Sequence, residues 1–130
     1  MFDINNCTVQ EAVEYAVEKI VAQGGMCMSD DDIMCLYSIK GVDNIHCAVG
    51  WLLDHSKCDF SDYKGDLMSL IGNGYPVPEI VKNNSFTFSL LQSFHDMDYK
   101  HRRLQVIQSL KRKGIDTSNP AFEVWVNMGE

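Results

Sequence analysis

The chain has 130 residues, 45% of them hydrophobic and 22% charged, as expected of one soluble globular domain spanning 1–130 that buries a core without staples. Its formal charge of −7 discourages non-specific nucleic-acid binding. No apolar run approaches the roughly 18 residues that would cross a bilayer.

The charge is unevenly spread: residues 1–99 hold fifteen acids and five lysines, whereas residues 100–130 hold six bases and three acids. Five cysteines (Cys7, Cys27, Cys35, Cys47 and Cys58) form an odd set without close pairs, which predicts a reducing cytosol and not a disulfide framework. Residues 1–6 have neither a basic region nor an apolar stretch, and predict no leader segment.

Thr8-Val9-Gln10-Glu11 reads as a capping box, and Val9, Ala12, Val13, Ala16, Val17 and Ile20 follow helical spacing until Gly24-Gly25. Glu11, Glu14 and Glu18 fall on the other side of that helix as an acidic ridge. Residues 26–32 read as a loop ending in Asp30, Asp31 and Asp32. These three carboxylates lack the alternation with Asn, Gly and Glu of a calcium loop and read as an acidic tip or cap.

Residues 33–39 form an apolar run suited to a strand, and residues 40–44 supply Gly, Asp and Asn for a reversal, predicting a β-hairpin. The return strand at Ile45-His46 leads into a short buried helix starting near Cys47, with Val49, Leu52 and Leu53 inward. Residues 54–84 are punctuated by Gly65, Gly72, Gly74, Pro76 and Pro78. They predict an irregular binding surface with short helical pieces at 66–71 and 78–82. Two longer helices follow, from Asn84 or Ser85 to about Met97 and from Tyr99 to Lys113. The bases of the second scatter around its axis, which disfavours a nucleic-acid face. Residues 122–128 alternate like a strand, although Asn119-Pro120 is also a helix opening; the strand reading would make the hairpin a three-stranded sheet. The expected class is therefore α+β, a mostly helical domain with a small antiparallel hairpin or three-stranded sheet.

The run Cys35-Leu36-Tyr37, a turn with Gly41, then Cys47-Ala48-Val49-Gly50-x-Leu52-Leu53, and later Leu91-Gln92-x-x-His95-Asp96, resembles a family of small proteins encoded by tailed bacteriophages. The resemblance spans about 17–114, with 115–130 as an extension, and Trp51 stands where a second cysteine is common in that family. It implies a phage origin and a fold, and no particular reaction.

Catalysis, if present, is expected from Cys47 as nucleophile and His95 as base, since a thiol at a helix N-terminus has its thiolate stabilised by the dipole. Asp96 is adjacent to His95 and would point about 100° away from it, a poor position to orient the imidazole. The cysteines and histidines form no C-x-x-C knuckle, and His46 and Cys47 on a strand would face opposite ways, so neither a metal nor another cofactor is predicted. The reading favoured by these features is a phage accessory protein, acting in the cytoplasm of the infected bacterium, that binds and inhibits a host protein of an anti-phage defence system. Self-association remains open. Its contact surface is expected to include Glu11, Glu14, Glu18, Asp30, Asp31 and Asp32, with Tyr63, Tyr75 and Trp125 as exposed aromatic anchors. The alternatives are the Cys47/His95 enzyme, modifying a host protein or nucleotide signal, and a protein that sequesters a small signalling molecule near the Gly/Pro-rich segment.

Overall fold

A computed structural model describes residues 3–24, 46, 48–58, 60, 67–92 and 99–127. They form six α-helices: α1 (Val9–Gln23), α2 (Leu67–Gly72), α3 (Glu79–Asn83), α4 (Ser85–Gln92), α5 (Tyr99–Arg112) and α6 (Pro120–Asn127). Single 3-10 turns lie at Ile4–Asn6 and Gly50–Leu52. No strand occurs among the described residues, and the molecule they show is helical, which corrects the expected α+β class. The expected hairpin at 33–45 lies outside the described residues.

The C-terminal segment gives the clearest correction. Asn119 opens α6: its side-chain oxygen accepts the Ala121 amide at 2.9 Å, and its carbonyl accepts the Phe122 amide at 3.0 Å. Pro120 then occupies the first turn, where its missing N–H costs nothing. A strand would have placed Phe122, Val124 and Val126 on one face. The helix instead buries Phe122, Trp125 and Val126 and leaves Val124 49% exposed. The segment therefore supplies no third strand.

Helix α1 begins as its sequence predicts. Thr8 Oγ1 accepts the Glu11 amide at 3.1 Å, and Glu11 Oε1 accepts the Thr8 amide at 2.9 Å. It ends at Gly24, whose φ of 92° lets its N–H reach the carbonyls of Ile20 and Val21. Ala12, Val13, Ala16, Val17 and Ile20 are all buried. The small alanines permit close approach of α6, while each buried Val or Ile contributes about 1.5–3 kcal/mol by leaving water. Helix α6 packs on α1 and on α5, α4 joins α5 to α2, and the Gly50–Leu52 turn lies against α1.

The helix expected near Cys47 is a single 3-10 turn, although Val49, Leu52 and Leu53 are buried as their spacing predicts. The short helices expected at 66–71 and 78–82 are present as α2 and α3. In α4 the inward residues are Thr87, Phe88 and Leu91, with Phe86 66% exposed beneath the Lys113 ammonium 4.3 Å from its ring centre. Among the described residues no helix is long and apolar enough to cross a membrane.

Candidate functional site

The site is built outward from the end of α1. Gln23 Nε2 donates to the His46 carbonyl at 2.5 Å, and its Oε1 accepts from the His46 amide at 3.1 Å and from Trp51 Nε1 at 2.9 Å. One side chain thus fixes both a backbone segment and an indole ring. The His46 ring meets Trp51 edge-on at 4.7 Å and stacks on His55 at 4.1 Å. His55 meets Phe60 edge-on at 5.4 Å, and Phe60 lies 5.8 Å from Tyr75. The His55 ring donates from Nε2 to the Gly50 carbonyl at 2.7 Å, so the proton is required on that nitrogen. Gln23 thus ties His46 and Trp51 to α1, and the ladder of rings continues from them through His55 and Phe60 to Tyr75.

Trp51 forms part of the wall of an open cleft of about 630 Å³ between α1, residues 3–5, the 51–57 segment and residues 76–82. Buried Leu52, Leu53 and Val77 floor it, half-buried Tyr15 and Trp51 line it together with Pro76 and Pro78, and Asp3, Asp54, Lys57, Glu79 and Lys82 supply its charges. Lys19 lies outside this lining, with its ammonium 5.4 Å from the Tyr15 ring centre and 5.2 Å from that of Trp51. It braces the two rings through cation–π attraction.

The carboxylates of the cleft are held in place by their own turns. Asp3 accepts from Asn6 Nδ2 at 2.7 Å and from the Asn5 amide at 3.0 Å, and these two bonds hold its pKa below the usual carboxylate range. Asp54 accepts from the Ser56 hydroxyl at 2.5 Å and amide at 3.0 Å, which lowers its pKa too, with a smaller contribution from the Lys57 charge. Glu79 and Lys82 approach to 4.0 Å, an exposed i,i+3 pair.

The residues expected to meet a partner are dispersed. Glu11 closes the α1 capping box, while Glu14 and Glu18 accept from Asn119 Nδ2 at 3.3 and 2.9 Å. The ridge therefore clamps the start of α6, and its exposed carboxylate oxygens retain further acceptor capacity. Tyr75 is half-buried against Phe60. Trp125 is not an exposed anchor: it is 1% exposed in the core, and its carbonyl accepts from Arg103 Nη1 at 2.9 Å. Cys47, His95, Asp30, Asp31, Asp32 and Tyr63 lie outside the described residues. Cys7, half-buried at the start of α1, has its thiol pKa raised by burial first and by the charges of Glu11 and Asp3 second. Among the described residues no three His, Cys, Asp or Glu side chains converge as a metal site.

The expected binding surface at 54–84 contributes Asp54, Lys57 and residues 76–82 to the cleft, but the cleft as a whole was not legible because its lining comes from four separate stretches. A further local signal was Trp51, a large amphipathic ring following the small residues Ala48 and Gly50. No protein-family model matches the chain, and no curated protein and no solved structure matches it.

Proposed function

We propose that this chain is a phage-encoded accessory protein that works in the cytoplasm of an infected bacterium by binding and inhibiting one host protein, a component of an anti-phage defence system. The phage origin rests on the resemblance of the Cys35–Leu53 and Leu91–Asp96 motifs, and the binding role on the cleft beside Trp51. An apolar floor, two aromatic walls and a charged rim are the composition of an interface anchor pocket, where aromatic contacts carry a large share of binding energy. Affinity capture from host lysate tests the reading. One host protein should co-purify at near-stoichiometric amounts with the wild type and with Cys47→Ala, whereas the enzyme alternative requires Cys47→Ala to abolish the effect on the host without unfolding the chain.

The same cleft supports a second reading, sequestration of a small signalling molecule. Its volume falls within the range of small-molecule pockets, and residues 76–82 of the Gly/Pro-punctuated segment line it. Such a molecule would raise the melting temperature of the isolated chain with no protein partner present.

A further inference from the structure

Helices α1, α2 and α5 each close on a glycine at positive φ, and the residue before that glycine differs: Gln23 before Gly24, Asn73 before Gly74, Lys113 before Gly114. The second and third of these turns share one hydrogen-bond pattern. The Gly74 amide donates to the Ile71 carbonyl at 3.1 Å and the Tyr75 amide to the Leu70 carbonyl at 3.4 Å, as the Gly114 and Ile115 amides do to Lys111 and Leu110 at 3.0 Å each. Since lysine serves in one copy, the turn itself does not need asparagine at position 73. What asparagine adds is a side-chain amide whose carbon can close a five-membered ring with the nitrogen of the next residue.

Little opposes that closure at Asn73. Its side chain is exposed and, among the described residues, makes no hydrogen bond. A glycine follows, so no side chain flanks the attacking nitrogen, and nothing lies within 4 Å of the place a Cβ would occupy at Gly74. Other amides are held or blocked. Gln23 makes three hydrogen bonds and would need a six-membered ring, and Asn84 donates to the Ile80 carbonyl at 2.9 Å. Asn83 is exposed but precedes the branched side chain of Asn84, and Asn119 precedes a proline, whose nitrogen has no proton to lose. The Gly74 N–H is itself bonded to Ile71, so closure waits for the end of α2 to open. That opening is local, because α2 has six residues and residues 72–74 are exposed.

We propose that Asn73-Gly74 is a site of spontaneous self-modification, which converts Asn73 to aspartate and isoaspartate and opens the turn leading from α2 into the cleft wall. The Gly74 nitrogen, having lost its proton to solvent base, attacks Cγ of Asn73. The new C–N bond closes a succinimide while the C–NH2 bond breaks, and the amide nitrogen takes up a proton and leaves as ammonia. Water then opens the ring at Cγ, giving aspartate, or at the backbone carbonyl, giving isoaspartate, in which the chain runs through the side chain and gains one methylene. Either product sets a negative charge at the carbonyl end of α2, where the dipole disfavours it. Isoaspartate also displaces the Gly74 and Tyr75 amides from their carbonyls. Those bonds lead the chain to Tyr75, against the Phe60 ring, and to Pro76, Val77 and Pro78 of the cleft lining. The modification therefore acts on that wall whichever partner the cleft takes.

The purified full chain is kept in mildly acidic and in mildly alkaline buffer, and samples are digested in heavy-oxygen water, which marks any conversion during work-up. Mass spectrometry with electron-transfer fragmentation follows residues 65–82 and distinguishes the two products. This peptide should gain the mass of one NH-to-O exchange, faster at alkaline pH and faster than the peptides carrying Asn83, Asn84 or Asn127, with isoaspartate exceeding aspartate. Asn73→Lys, which copies the Lys113 turn, should lose the conversion and melt as the wild type does. The aged protein should melt below both its fresh sample and Asn73→Asp, which adds the charge without the methylene. No conversion at Asn73, conversion no faster than at Asn83, or equal rates at the two pH values would overturn the site. An aged, converted protein that melts with the fresh one would overturn the opening of the turn.

Discussion

Asn119 Nδ2 lies 2.9 Å from a carboxylate oxygen of Glu18, one hundred and one residues earlier in the chain, and 3.3 Å from one of Glu14. The other end of the same amide accepts the Ala121 N–H at 2.9 Å. Gln10 continues the arrangement one turn nearer the start of α1, exchanging two hydrogen bonds of 2.7 and 2.8 Å with the Asp116 backbone. Gln10, Glu14 and Glu18 are spaced four apart and form one stripe on α1 that receives residues 116–119. The acidic ridge therefore joins the α5–α6 connection to the first helix.

Substitution at Asn119 should separate its two roles. Asn119→Ala removes the cap and should cost about 1 kcal/mol, within the usual range of 0.5–2. Asn119→Asp keeps a capping oxygen but sets a carboxylate against Glu14 and Glu18. At neutral pH and low salt it should be less stable than Asn119→Ala, and added salt should narrow the gap. Urea denaturation of the two variants at two salt concentrations checks this; an Asp variant as stable as the wild type would contradict the clamp.

Trp125→Ala should lower stability by about 3–5 kcal/mol, the cost of emptying a core aromatic position. An exposed interface anchor at this position would instead cost little in denaturation and much in binding. Equilibrium unfolding of the purified variant distinguishes the two.

Arg103 is 5% exposed and donates to the Trp125 carbonyl in the last turn of α6, where a cation also favours the negative end of the helix dipole. Arg103→Met should therefore destabilise by about 1.5–3 kcal/mol, the range for a hydrogen bond to a charged group. Arg103→Lys should recover only part of this, because an ammonium lacks the planar fork. The same unfolding measurement applies, and full recovery by lysine would show that charge alone matters.

The sequence is informative where contacts are local. The α1 capping box, the Gly24 stop and the buried positions 12, 13, 16, 17 and 20 follow from residues within one or two turns of each other. The short helices at 67–72 and 79–83 were legible for the same reason. Residues 122–127 were not: Phe, Val and Val alternate as in a strand, and the choice was made by the Asn119-Pro120 opening and by the packing of Trp125 on distant helices. Glu14 and Glu18 looked like a solvated or partner-binding face because their hydrogen-bond partner is more than a hundred residues away. The cleft shares that limit, since Asp3, Tyr15, Trp51 and Val77 meet only in the folded chain.

Asp3, Asp54 and Asp116 all have pKa values below the ordinary carboxylate range, each through hydrogen bonds to its own turn. A folded-state pKa below the unfolded one means that the unfolded chain binds more protons in that interval, so stability rises with pH there. The contribution is fully present above the ordinary carboxylate pKa of about 4 and is lost as pH falls through the lowered values. Replacing all three by Asn should flatten the stability profile below about pH 4 and leave its slope near neutrality unchanged, as read from melting temperature against pH. An unchanged acid limb would contradict the assignment.

The proposed inhibition requires a stoichiometric complex with one bacterial protein. Native mass spectrometry of the tagged chain, expressed in a bacterium and purified gently, measures this directly. The account predicts a dominant species whose mass exceeds that of the chain by one host protein in fixed ratio. A spectrum containing the chain alone, or only copies of itself, would contradict it.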